Sequence, residues 1–296
     1  MEKRGPAGEG QALPYAVSGR SALDVAAEAA RRAGEIVRKG FGGTFWRASK
    51  GHGNIVTEID VAADAAVREL VQKEFPGHSF LSEELAPEAA PQRAGCQWVV
   101  DPLDGTTNFA WGVPFFCVSV ALISDGAPVV AALYDPLRDE LFTAVAGRGA
   151  LLNGEPLSVP PAEAETDRAW LVSFDASSHP EMRRRAWTLA VWLAPEAEAV
   201  RVLGSAALAL AYVAAGRLDL HYHPSLNPWD DAAAALLVQE AGCAASDWAG
   251  RPQTIWRGEW VAGRPRAHRW FLERAREVPS IGETLFIEKK FKFKEQ

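Results

Sequence analysis

The stretch Trp98-Val-Val-Asp-Pro-Leu-Asp-Gly-Thr-Thr-Asn108 sets two acids, Asp101 and Asp104, behind an apolar run and in front of a loop rich in backbone donors. A buried strand ordinarily hands over to a turn through one Asp or Gly, so a pair of carboxylates there is unusual. Pro102 fixes its own φ at about −65°, so a sharp turn is expected after Asp101, with both carboxylates on one side. Gly105 then permits close backbone approach, and Thr106-Thr107-Asn108 offer N–H and hydroxyl groups at an expected helix start, a natural place for phosphate. Acids beside a phosphate repel it unless cations lie between them. Mg²⁺ fits, as a hard ion satisfied by one or two carboxylates together with phosphate oxygens and water. Two other readings stay open. The acids can simply cap the turn, or the first can be a nucleophile that takes up phosphate, although the spacing and Pro102 count against covalent chemistry.

Three further acidic segments lie elsewhere in the chain: Asn54-Ile-Val-Thr-Glu-Ile-Asp60, Leu81-Ser-Glu-Glu-Leu85 and Asn227-Pro-Trp-Asp-Asp-Ala-Ala233. Each has a plain explanation. Glu83 and Glu84 can sit on a loop, Asp60 can be a helix N-cap, and Asp230 can complete a helix dipole. All four segments fall at element boundaries, where a layered α/β protein gathers its ligands.

The pattern of elements agrees. Ser21 is an expected N-cap, followed by a stripe of Ala22, Val25, Ala26, Ala29, Ala33, Ile36 and Val37, with Gly40 as the stop. A second helix is expected from about Asp60 to Phe75. Strands are expected at 97–100, 116–123, 129–134, 141–145 and 169–174, with Asp125-Gly126 and Asn153-Gly154 as turn signals. Beyond them the chain alternates: helix 180–193, strand 200–203, helix 205–215, strand 218–222 and helix 228–241. Alternation of this kind predicts a layered α/β fold. Without an internal repeat or a Pro/Ser-rich linker, residues 21–277 read as one domain. Residues 1–20 are expected to be a flexible segment, and 278–296 a flexible tail with lysines at 289, 290, 292 and 294.

Composition narrows the function. The 296 residues carry a net charge of −7, which argues against nucleic acid but not against phosphorylated small molecules met through metal ions. Cys96, Cys117 and Cys243 show no CxxC spacing, and are read as reduced thiols of a cytoplasmic protein. Neither a secretory signal nor an apolar run of about 18 residues is found, so no membrane span is expected. Of the tryptophans, 187, 192, 248, 256, 260 and 270 cluster late, in an outer layer, a dimer interface or the core.

Through NIVTEID, SEE in place of the usual GEE, DPLDGTTNF, GSAAL at 204–208 and PWDDAAA, the chain resembles the inositol monophosphatase family of Mg²⁺-dependent phosphatases over roughly residues 21–277. The resemblance implies an α/β (α+β) fold, the layered αβαβα sandwich of the inositol monophosphatase and fructose-1,6-bisphosphatase type. It places metal ions on Glu83, Asp101, the Leu103 carbonyl, Asp104 and Asp230, with two or three Mg²⁺ bound and Mn²⁺ as a substitute. Asp60 and Thr106 orient the attacking water, with Glu83 beside them in the catalytic set. The backbone of Gly105 and Thr106 holds the phosphate, and Gly204, Ser205, Ala206 and Asp230 face the substrate. In-line displacement without a covalent intermediate, lithium sensitivity and a homodimer are implied as well. Without metal, acids about 4 Å apart repel by roughly 1–4 kcal/mol per pair, so raised carboxylate pKa values are expected.

One position departs from the family. Seven residues before Asp230, where an acid meets the inositol ring in the animal enzymes, this chain has His223. Histidine can donate to a substrate hydroxyl, meet a second phosphate, or pack beside the pocket. Inositol monophosphate is therefore the leading expected substrate, with histidinol phosphate, fructose 1,6-bisphosphate and 3′-phosphoadenosine phosphate as alternatives. The rival class is a binding or regulatory protein that kept the fold. It would be marked by a damaged acid set or a basic face, and the sequence shows neither.

Overall fold

Alanine spaced for a helix builds the outermost layer. The computed structural model describes residues 13–51, 54–85, 94–161, 170–255 and 257–278. Helix α1 (Ala22–Gly40) starts at Ser21, whose Oγ accepts the Asp24 N–H at 3.1 Å, and buries the expected stripe except Ile36, which is half-buried; its small residues let it lie close to its neighbours. A hairpin of β1 (Arg47–Gly51) and β2 (Asn54–Thr57) leads into α2 (Glu58–Glu74). Helices α1 and α2 pack together on one face of a seven-stranded sheet.

That sheet runs in chain order: β3 (Ser79–Ser82), β4 (Cys96–Asp104), β5 (Cys117–Ser124), β6 (Ala127–Asp135), β7 (Glu140–Val145), β8 (Ala150–Leu152) and β9 (Glu155–Leu157). Only β3 and β4 are parallel; the rest is an antiparallel meander. A one-turn helix, α3 (Thr106–Ala110), stands between β4 and β5. Five further strands form a second sheet. In chain order the second half holds β10 (Trp170–Phe174), α4 (Pro180–Leu193), β11 (Ala197–Val202), α5 (Ala206–Ala214), β12 (Leu220–His223), α6 (Pro228–Glu240), β13 (Ala244–Ser246), β14 (Trp260–Gly263) and α7 (Pro265–Glu277). The strand order is β11-β10-β12-β14-β13, with β10 parallel to both of its neighbours.

Helices α5 and α6 lie between the two sheets, and α4 and α7 cover the outer face of the smaller one. The result is the αβαβα sandwich that the motifs implied. Between the sheets α5 and α6 are apolar nearly all round, as Ala206–Ala214 and Ala232–Val238 show.

Several expectations are corrected. No sharp turn follows Asp101. Strand β4 continues to Asp104, and Pro102 is absorbed where the register with β5 shifts between Asp101 and Asp104. Thr57, not Asp60, is the N-cap of α2. Residues 13–20 do not read as free chain: Ala16 is buried, and the Val17 N–H donates to the Glu74 carbonyl at 2.9 Å, docking them on the end of α2. Residues 1–12, the lysine-rich end and Trp256 lie outside the described residues. Of the late tryptophans, Trp248 and Trp260 are core residues and Trp187 is exposed on α4. The three cysteines are free thiols, Cys117 fully buried. Among the described residues, no helix is long and apolar enough to cross a membrane.

Candidate active site

The parallel pair β3–β4 aligns the first two acids. Glu83 follows the last residue of β3, and its N–H donates to the Val100 carbonyl at 3.3 Å, which sets its side chain beside Asp101 on β4. Asp101 is buried, and its Oδ1 accepts the Leu103 N–H at 2.9 Å, tightening the irregular end of the strand. Asp104 reaches α5 instead. Its Oδ2 accepts the Ser205 hydroxyl at 2.6 Å and the Ala207 N–H at 2.8 Å, so a residue of β4 caps a helix a hundred positions away.

The other two acids share one local device. Asp60 and Asp230 are each the third residue of a helix and close a capping box. Asp60 Oδ2 accepts both the N–H and the hydroxyl of Thr57, and its Oδ1 accepts the Thr106 hydroxyl at 2.7 Å. Asp230 Oδ2 accepts the Asn227 N–H at 2.7 Å. In both, one oxygen is spent on the helix start and the other is left for the site.

A cavity of about 180 Å³ opens where these ends meet. It is lined by the acids Glu83, Asp101, Asp104 and Asp230, by Leu103, Gly105, Thr106 and Thr107 from the end of β4 and the start of α3, and by Gly204 and Ile55. One oxygen each from Glu83, Asp101 and Asp230 lies within 4.8 Å of the other two. Gly105 has φ +98°, and a Cβ there would stand 3.1 Å from the Phe115 carbonyl oxygen and 3.2 Å from that of Gly204. Gly204 has φ +79°, and a Cβ there would meet the Asn108 amide at 2.8 Å. Both glycines are needed for conformation and for space.

Burial and mutual repulsion raise the site's carboxyls. Desolvation is the larger cause throughout, followed for Asp101 by Glu83, Asp104 and Asp230, and for Asp230 by Glu83 and Asp104. Asp104 is pushed up to about 6 by burial, against the hydrogen bonds from Ser205 and Ala207. Glu83 is raised by burial despite Lys50. The Lys50 ammonium, on the exposed hairpin, lies 3.1 Å from Glu83 Oε1 and 2.5 Å from Glu84 Oε1. Burial also raises Glu84, to about 7. Converging oxygen donors whose negative charge Lys50 offsets only at Glu83 fit a hard divalent cation.

The structure thus brings Asp60, Glu83, Asp101, Leu103, Asp104, Gly105, Thr106, Gly204 and Asp230 together. Ser205 and Ala206 start α5 beyond Gly204, and Ser205 serves Asp104. His223 is buried at the end of β12, its Nδ1 accepting the Ser225 N–H at 3.1 Å, and it does not line the cavity. Lys50 and Ile55 were not anticipated, because the strands that carry them have no apolar alternation to announce them.

A layered αβαβα sandwich with a carboxylate-lined cavity at its converging element ends is the class defined so far. The model of the "Inositol monophosphatase family" matches residues 20–280, and the chain belongs to that family. It is 39% identical to Nus factor SuhB of Escherichia coli K12, covering 86% of this chain and 96% of that protein. It is 41% identical to inositol monophosphatase 3 of Solanum lycopersicum, over 74% of this chain and 83% of the relative. An inositol monophosphatase from Anabaena superposes with a TM-score of 0.76 at 34% identity, covering 88% of this chain and 97% of its own. The suhB protein of Bartonella henselae gives 0.78 at 31%, covering 87% and 99%.

Proposed function

We propose that the chain is a Mg²⁺-dependent phosphomonoesterase acting on a small phosphate ester, with inositol monophosphate as the first candidate. One observation carries the reading: the Thr106 hydroxyl, held by Asp60, stands beside three converging carboxylates and the Gly105 loop. Glu83, Asp101, the Leu103 carbonyl, Asp104 and Asp230 would hold the cations. Bound there, Mg²⁺ supplies positive charge to the phosphate and to the developing alkoxide, and acidifies water in the site.

The chain's own residues do the rest. Thr106 takes its orientation from Asp60 Oδ1 and positions a water by its hydroxyl oxygen. The backbone at Gly105 and Thr106 receives the phosphate, and Gly204 lines the cavity beside it. No nucleophilic side chain is required. Two relatives named as inositol monophosphatases support this reading, as does the complete acid set.

The similarity to proteins named Nus factor SuhB favours a second, binding role, which need not exclude the first. A single catalytic domain over 21–277, a cytoplasmic location and a homodimer belong to the same proposal. The test is phosphate release from inositol 1-phosphate, histidinol phosphate, fructose 1,6-bisphosphate and 3′-phosphoadenosine phosphate, with and without Mg²⁺ and with Li⁺ added. Mg²⁺-dependent, Li⁺-inhibited release from one of them is expected. Absence of release across the panel would leave the binding role alone.

A further inference from the structure

Asp175 lies one residue beyond β10, where the parallel pair β10–β12 presents its carboxyl ends, the part of an α/β sheet that ordinarily faces ligands. It is only 6% exposed, and no motif marks it. Its Oδ1 accepts two consecutive backbone donors, the Leu203 N–H at 3.0 Å and the Gly204 N–H at 2.6 Å. Its Oδ2 is buried and has no hydrogen-bond partner among the described residues. Burial pushes this carboxyl up to about 7, against the two N–H bonds. Oδ1 can accept from both donors whether or not Oδ2 carries a proton.

The segment it holds lies directly against the Gly105 loop, and its Gly204 lines the cavity. Asn108 Nδ2 donates to the Leu203 carbonyl at 2.7 Å, and the Ser205 hydroxyl donates to Asp104. Residues 203–205 are therefore fixed from β10, α3 and β4 at once. The gap they close is narrow, since a Cβ on Gly105 would lie 3.2 Å from the Gly204 carbonyl oxygen. Of this loop, Gly204 lines the cavity, while the Leu203 carbonyl is taken by Asn108. Releasing the two N–H groups from Asp175 would let this lining move.

We propose that Asp175 is a positioning residue: through Leu203 and Gly204 it sets the part of the pocket lining that abuts the Gly105 loop, and so how tightly the ester is held. This rests on the phosphatase reading above. Asp175 does not line the cavity, and its loss is expected to raise KM by more than it lowers kcat.

The test compares Asp175→Ala and Asp175→Asn in the full chain with Mg²⁺ and the best substrate of the panel. Hydrogen–deuterium exchange over residues 203–204 is read in parallel. The alanine variant, which leaves both N–H groups without an acceptor, is expected to raise KM by about tenfold or more, with kcat within about threefold. Exchange at 203–204 is expected to accelerate by a similar factor. The asparagine variant keeps the Oδ1 acceptor and is expected to match the wild type on both readouts. Unchanged exchange in the alanine variant, or a kcat loss at constant KM, would overturn the proposal. Should the alanine variant not fold, the asparagine variant decides alone, and a rise in its KM of about tenfold rejects the role. If the wild type hydrolyses nothing, the phosphatase reading fails and the exchange comparison still decides whether Asp175 holds the loop.

Discussion

Asp104 both anchors a helix start and lines the cavity. Oδ2 caps α5 through Ser205 and Ala207, with the Cys117 thiol 3.9 Å away, and the residue still lines the cavity. Asp104→Asn retains an acceptor for the helix start but removes a charge from the cluster. Mg²⁺-dependent turnover is expected to fall by at least about a hundredfold. Without metal, the variant is expected to melt no lower than the wild type, because one repelling charge is gone. Scanning calorimetry in chelator and a phosphate-release assay check the two halves, and near-normal turnover would remove Asp104 from the proposed ligand set. Single acids were legible in the sequence where a motif spelled them, as in DPLDGTTN and PWDD. Lys50 and Asp175 were not, because each acts through a partner distant in the chain.

At the scale of elements, the start of α2 is both a helix cap and a part of the site. Thr57 accepts the Ile59 and Asp60 N–H groups and donates its hydroxyl to the carboxylate that orients Thr106. Thr57→Val removes the cap at a cost of about 1 kcal/mol. It is expected to lower turnover as well, because Asp60 loses one of its anchors. Thr57→Ser should restore both, and a valine variant with unaltered kcat would separate the cap from the site. The helices were legible because their apolar period is regular; α1 begins and ends where Ser21 and Gly40 require. Strand β1 was not, since all five of its residues are exposed. The end of β4 was misread because Pro102 signals a turn locally, while pairing with β5 resumes beyond it.

Over the whole molecule, the site collects the ends of elements from both halves of the chain, so its charge is a property of the folded state. Glu84 and Asp175 are raised to about 7, and Asp101 and Asp230 well above the usual carboxylate range, chiefly by burial. Raised acids bind protons more readily folded than unfolded. Their contribution is complete below the unfolded pKa of about 4 and is lost as pH rises through the folded values. His221 and His223, lowered to about 3, and His268, lowered to about 4, act oppositely, but only below about 6.5, where the unfolded histidines charge. Between pH 7 and 8 the histidines no longer oppose the acids. Metal-free melting temperature is expected to fall across that window, and Mg²⁺ to raise it more at pH 8 than at pH 7, because binding requires deprotonated ligands. A Mg²⁺ effect independent of pH would contradict the assignment of Asp101 and Asp230 to the metal. The layered architecture was legible from alternation and motif order, whereas the pocket's shape was not, for it depends on Gly105 and Gly204 meeting across the chain. That meeting distributes tolerance to change unevenly. The Gly105 loop lies against the Gly204 carbonyl and Gly204 against the Asn108 amide, and a methyl group on either glycine would collide, so neither can drift alone. Variation in what the pocket accepts is left to lining side chains such as Ile55, which can change without moving the backbone.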